Sequence, residues 1–159
     1  MKTLIVPFSE RYLAQTLIIE KQAQPNPWNE KIIRSCFGRR YMNFALTLAN
    51  SDQLLGYVFS DHVAGEVSIM NICISPQYQR KGFAKQLLNH LVSHSQAINA
   101  ETLWLEVRES NIAARALYNE LDFNEIAVRK NYYPVISANQ KKPINNKENA
   151  IVMSRDLAF

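Results

Sequence analysis

Glycine is scarce in this chain, four residues in 159, and neither the G-x-x-x-x-G-K-[ST] nucleotide loop nor the G-x-G-x-x-G dinucleotide fingerprint is present. Cysteine is scarcer: Cys36 and Cys73 stand far apart with no C-x-x-C or histidine-cysteine spacing, so neither a disulfide framework nor a zinc site is suggested. This usage fits a reducing cytoplasm. No apolar run approaches membrane-spanning length, and the stretch between Lys2 and Pro7 is too short for a signal-peptide core. No internal repeat is visible. The formal charge of +4 favours a polyanionic partner, but the cations form only short pairs, such as Arg39-Arg40, Arg129-Lys130 and Lys141-Lys142. With no long basic run, direct nucleic-acid binding is not expected.

What is present suffices for one domain over 1–159: 47% of the residues are hydrophobic, enough to bury a core at this length. Ser9 reads as the cap of a helix running to about Gln22, with Leu13, Ala14, Leu17 and Ile18 inward. A loop over Gln24 to Asn29 and a short helix from Asn29 to Phe37 follow. Strands are expected at Tyr41 to Ala49 and Leu54 to His62, joined as a hairpin, then a strand after Gly65 that ends at Ser75 before Pro76. Phe83, Ala84, Leu87, Leu88, Leu91 and Val92 recur with helical spacing. His90 and His94 lie beside that stripe and read as half-exposed structural residues. Further on come a strand at Thr102 to Val107, a helix from Asn111 to Leu121, and closing strands at Asn124 to Tyr133 and Ala150 to Leu157. Between the last two, Val135 to Asn149 is polar and reads as a mobile surface loop.

The most informative segment is Gln79-Arg80-Lys81-Gly82-Phe83-Ala84, a basic turn between a strand and an amphipathic helix. A helix N-terminus offers unpaired N–H groups and the positive end of the macrodipole, which together hold an anion. Gly82 lets a diphosphate approach the backbone without meeting a Cβ, while Arg80, Lys81 and Lys85 add charge around it. An ordinary strand-to-helix turn is the plainer reading. Following this turn, Thr102-Leu103-Trp104-Leu105-Glu106-Val107 carries a carboxylate near a strand end, and the next helix carries Tyr118.

With Gln79, Gly82 and Ala84 filling the Q/R-x-x-G-x-G/A pattern after a strand, the chain resembles the GCN5-related N-acetyltransferase (GNAT) superfamily. Trp104 to Asn111, Ala116-Leu117-Tyr118, Asn131-Tyr132-Tyr133-Pro134, Pro27-Trp28 and Arg40-Tyr41 extend the likeness to the bacterial ribosomal-protein-alanine N-acetyltransferases, the RimI type. The resemblance implies an α/β fold of the α+β kind, with a mixed, mostly antiparallel sheet of about seven strands and about four helices. It also implies acetyl-coenzyme A as cosubstrate, no metal, and a ribosomal protein N-terminus, the alanine of S-eighteen, as peptide acceptor. At Asp122 the family usually has glycine, so a left-handed residue is expected there at a small cost in stability.

Acyl transfer to an amine needs a held donor, a neutral amine, a stabilised oxyanion and a proton for the departing thiolate. The strand at Ile72, Cys73 and Ile74 is expected to pair its backbone with the pantetheine amides, and Cys73 to be a buried thiol with no nucleophilic role. Glu106, among Leu103, Trp104, Leu105 and Val107, is the candidate general base, acting directly or through water, and an ion pair with Arg108 is the competing reading. A free α-amine, with a pKa of roughly 8, is far easier to neutralise than a lysine at about 10.4. By the resemblance, Tyr118 is the general acid and Asn111 contacts coenzyme A besides capping its helix. Ala113, Ala116, Leu117 and Leu121 are expected to be buried, with Tyr118 on their margin. Trp28, Tyr132 and Tyr133 are candidates to frame the peptide groove, and Glu106, Glu109 and Asp61 to make it acidic. The alternatives are a related N-acetyltransferase for lysine side chains, other N-termini or small amines, and a non-catalytic ribosome-associated acyl-coenzyme A-binding module.

Overall fold

The computed structural model describes residues 1–135 and 144–157. Strand β1 (Thr3–Pro7) leads through a single 3-10 turn (Glu10–Tyr12) into helices α1 (Leu13–Ala23) and α2 (Glu30–Ser35). Strands β2 (Phe44–Leu48), β3 (Leu54–Val63) and β4 (Glu66–Ile74) then form a meander, followed by a second 3-10 turn (Pro76–Tyr78) and helix α3 (Phe83–Ala97). Strand β5 (Thr102–Arg108), helix α4 (Ile112–Glu120) and the hairpin of β6 (Asn124–Val135) and β7 (Ile144–Asp156) complete the order. The sheet runs β1-β2-β3-β4-β5-β7-β6, antiparallel throughout except for the β4–β5 pair. This is the mixed, mostly antiparallel architecture with four α-helices that the resemblance implies.

Each sheet face is covered by one helix pair. α3 supplies Leu87, Leu88, Leu91 and Val92 to one core, against Leu103, Leu105 and Val107 of β5 and Tyr118 of α4. The other core joins Leu13, Ile19 and Ile33 of α1 and α2 to Tyr57, Phe59 and Cys73. β3 is buried over seven consecutive residues, as a central strand covered on both faces must be, whereas β5 alternates. That alternation turns Trp104, Glu106 and Arg108 away from the α3 side.

Several expectations need correction. β1 was not foreseen; it is a short edge strand defined by pairing with β2, Thr3 opposite Leu48 and Pro7 opposite Phe44, and Pro7 ends it where no ladder donor is required. The strand expected from Tyr41 starts at Phe44, with Tyr41 making only an isolated bridge to Asp61. Ser9 makes no side-chain cap, and α1 is rotated from the expected phase: Thr16, Ile19 and Glu20 are buried beside Leu13, while Ala14 and Ile18 are exposed. The supposed loop from Val135 to Asn149 is partly strand, because β7 begins at Ile144 opposite Val135; residues 136–143 lie outside the described residues. Asp122 does take the left-handed conformation after α4, with φ 66°.

Two irregularities open the sheet. Phe59 pairs with Asn71 and Ser60 with Ile69, so Met70 is an extra residue that bends β4. β4 and β5 pair only from Glu66 opposite Thr102 to Ser68 opposite Trp104, and beyond that point no ladder joins them. The splayed ends, Ile69–Ile74 and Leu105–Arg108, border a cleft.

Candidate functional site

On the α3 side the cleft has a volume of about 450 Å³ and is walled by Ile72, Cys73 and Ile74 of β4, by Gln79, Arg80, Gly82, Phe83, Ala84 and Lys85 of the turn, and by Asn111 and Tyr118. Every residue expected to contact coenzyme A, except Lys81, therefore lines one cleft; Lys81 is exposed and is not among the residues lining it. Gly82 caps α3 with φ 84°, and a Cβ there would meet nothing within 4 Å. The surface in front of the helix N-terminus is open, as close approach by a phosphate requires. The Gln79 side chain donates to the Ile74 carbonyl at 3.0 Å, so it ties the turn to the strand end. Lys85 is paired with Glu120 at 2.7 Å. Cys73 is buried, its thiol pushed up to about 12 by burial, and it is not a nucleophile at neutral pH.

On the opposite side the cleft continues for about 420 Å³ between the α1–α2 loop and the end of β5, lined among others by Glu20, Trp28, Met70, Glu106, Arg108 and Tyr133. Asn111 and Tyr118 belong to both halves. A third hollow of about 620 Å³ adjoins it, walled by Ser68, Trp104, Glu106, Arg129, Tyr132 and Tyr133. Trp28 thus borders this second half, Tyr132 the adjoining hollow and Tyr133 both, although Trp28 also packs on Phe59, with ring centroids 5.5 Å apart.

Glu106 lines the 420 Å³ half and the hollow that adjoins it. It is not enclosed by its apolar neighbours, because Leu105 and Val107 point to the opposite face. Its Oε1 lies 3.1 Å from Nε of Arg129, so the ion-pair partner is Arg129 of β6 rather than Arg108. The charge of Glu106 raises the Tyr132 hydroxyl above the ordinary tyrosine value. Tyr118 is buried rather than marginal: it takes the inward position of α4 and packs on Phe123 with centroids 5.9 Å apart, while Ala113 and Ala116 are exposed. Burial, and then the charge of Tyr133, push its hydroxyl up to about 12. It therefore keeps its proton at neutral pH. Asn111 caps α4, accepting from the Ala114 N–H at 3.2 Å.

Neither Asp61 nor Glu109 supplies the cleft's acidity. Asp61 lies 3.8 Å from Arg40, and Glu109 is exposed beyond the end of β5. The second carboxylate bordering the 420 Å³ half is Glu20, fully buried and overlooked in the sequence, where a glutamate near a helix end reads as surface. Arg108 was also missed as a structural clamp. It donates to the Pro134 carbonyl at 2.8 Å and to Glu148 at 3.0 Å, and its guanidinium lies 4.6 Å from the centroid of the Tyr133 ring. These contacts pin the β6–β7 hairpin over the cleft. His90 and His94 pack edge-on against Phe44, and among the described residues no group could hold a metal ion. No helix of the described residues is long and apolar enough to cross a membrane.

Tyr118, Tyr133 and Cys73 share one consequence. Burial raises all three to about 12, so the folded protein keeps protons that the unfolded chain has lost. Their contribution to stability is complete below the unfolded values of about 8.5 for cysteine and about 10 for tyrosine, and is lost as pH rises towards about 12. Thermal melts from about pH 8 to about pH 11 should show a falling Tm; a flat Tm would mean these groups are not protected.

The Acetyltransferase (GNAT) family model matches residues 11–123. The chain is 40% identical over 141 residues to the [Ribosomal protein bS18]-alanine N-acetyltransferase of Escherichia coli K12, covering 89% of this chain and 88% of that one. The protein of the same description from Haemophilus influenzae is 43% identical over 136 residues, 86% of each chain. The crystal structure of the ribosomal-protein-S18-alanine N-acetyltransferase from Escherichia coli superposes with a TM-score of 0.89 at 36% identity, over 99% of this chain and 96% of that one.

Proposed function

Because the chain belongs to the GNAT acetyltransferase family, we propose that it transfers the acetyl group of acetyl-coenzyme A to the N-terminal alanine of ribosomal protein bS18, directly, with both substrates bound. The choice of acceptor rests on the relatives, which are named for that reaction across most of the chain. The geometric observation behind direct transfer is that one cleft has two mouths. Tyr118 and Asn111 border both halves, Glu106 faces the acceptor half, and among the described residues no ionised nucleophile stands between them.

In this reading the N-terminus of α3 and the Gly82 turn hold the phosphates, and β4 from Ile72 to Ile74 holds the pantetheine arm. Acetyl-coenzyme A supplies the activated thioester. The peptide enters past Trp28, Tyr132 and Tyr133. Glu106 takes the proton of the α-ammonium, directly or through a water, so that the amine lone pair is free to attack. A backbone N–H of β4 polarises the thioester carbonyl. As the C–S bond breaks, Tyr118 gives its proton to the departing thiolate; the new amide nitrogen sheds its second proton, which restores the Tyr118 hydroxyl, while Glu106 releases the first to solvent, and the high proton affinity of Tyr118 keeps it protonated between turnovers. A protein with this substrate works in the cytoplasm.

Two measurements test the reading. Synthetic peptides beginning with alanine, free or N-blocked and containing lysine, are incubated with the protein and acetyl-coenzyme A and read by mass spectrometry. Acetylation confined to the free N-terminus supports it, whereas lysine modification moves the acceptor to side chains. Separately, Gly82→Ala puts a Cβ into the open space in front of the helix N-terminus, where it crowds an approaching phosphate, and should weaken coenzyme A binding about fivefold by calorimetry, about 1 kcal/mol, with kcat little changed. Unchanged affinity would place the phosphates elsewhere.

A further inference from the structure

Resting on the acyl-transfer reading, we propose that Glu20 is a positioning residue for the acceptor half of the cleft, a buried carboxylate that fixes the α1–α2 loop against the bulged strand. Its side chain is 0% exposed. Oε1 accepts from the Trp28 N–H at 2.8 Å and from Asn71 Nδ2 at 3.2 Å, and Oε2 from the same Asn71 Nδ2 at 3.2 Å and from the Tyr57 hydroxyl. An ionised carboxylate is an acceptor only, with about four lone-pair sites. All are occupied by protein donors, so Glu20 has nothing to offer an ammonium and is not a second base.

The donors define what the carboxylate does. Trp28 belongs to the loop at the peptide mouth, and Asn71 follows the bulged Met70 on β4. Asn71 is bound in turn by Gln24 Nε2 at 2.8 Å. One side chain at the end of α1 thus sets the spacing between the loop carrying Trp28 and the strand that borders the acetyl position. Stability alone is a poor reason to bury a carboxylate, since a well-packed apolar group of the same volume generally does as well. Fixing a geometry that apolar packing leaves loose is a better one. Tyr57 is fully buried and lines none of the three clefts described above, so any effect of its hydroxyl on the acceptor passes through Glu20.

The test is steady-state kinetics of Glu20→Gln and Tyr57→Phe with an alanine-terminated peptide, each substrate varied in turn and kcat/KM followed against pH. Glutamine presents an amide NH2 to a site made of donors. Its acceptor KM should rise about tenfold, and that of Tyr57→Phe about threefold, with the KM for acetyl-coenzyme A within about twofold of the parent. The inflections of the pH profile should stay in place. Tyr57→Phe keeps ring and packing, so it reports even where Glu20→Gln does not fold. Parent-like acceptor KM values in an active background, or a displaced pH inflection in Glu20→Gln, overturn the proposal alone. An unmodified protein that leaves the free N-terminus unacetylated overturns the functional reading and this proposal with it.

Discussion

Glu106→Gln should lower kcat by about a hundredfold to a thousandfold while leaving the Kd for acetyl-coenzyme A within about twofold of the parent. Glutamine is nearly isosteric, and its amide oxygen still accepts from Arg129, which stands 3.1 Å from the carboxylate. What disappears is the capacity to take a proton. The variant then depends on acceptor that is already neutral, so its residual rate should climb as pH rises through the α-amine pKa of about 8, more steeply than that of the parent. The donor half of the cleft contains no atom of Glu106, which is why affinity for acetyl-coenzyme A is spared. Unaltered turnover would remove Glu106 as the base and leave it an ion-pair partner of Arg129.

Tyr118→Phe should slow the chemical step by about a hundredfold, with the Tm within a few degrees of the parent. The ring stays packed against Phe123, and only the hydroxyl at the junction of the two half-clefts is lost. Because burial pushes that hydroxyl up to about 12, the parent's rate should show no alkaline fall in the ordinary tyrosine range near 10. A large drop in Tm with unchanged kcat would make Tyr118 a core residue and nothing more.

The cleft wall built from β4, the turn and α3 was legible because it is local. A strand, a basic turn with a glycine, and an amphipathic helix lie within one continuous stretch, and a helix N-terminus offers its donors from backbone alone. The place of Glu106 near a strand end was readable in the same way, but its partner was not: Arg129 reaches it only because β6 follows β7 in the sheet. Glu20 was hidden for the same reason. Its partners Tyr57 and Asn71 lie 37 and 51 residues away, and nothing near Glu20 in the sequence records them. The burial of Tyr118 turned on the phase of a short helix whose alanines fit either face. β1 depends wholly on pairing with β2, a tertiary fact.

The most direct measurement is the intact mass of bS18 from ribosomes of an Escherichia coli strain that lacks its own bS18-alanine N-acetyltransferase and expresses this protein, with the Glu106→Gln variant in parallel. The account predicts bS18 heavier by one acetyl group, located on the N-terminal alanine by fragmentation, with the intact protein and largely absent with the variant at equal abundance. Unmodified bS18 in the presence of abundant folded protein, or an acetyl group carried on a lysine, would contradict it.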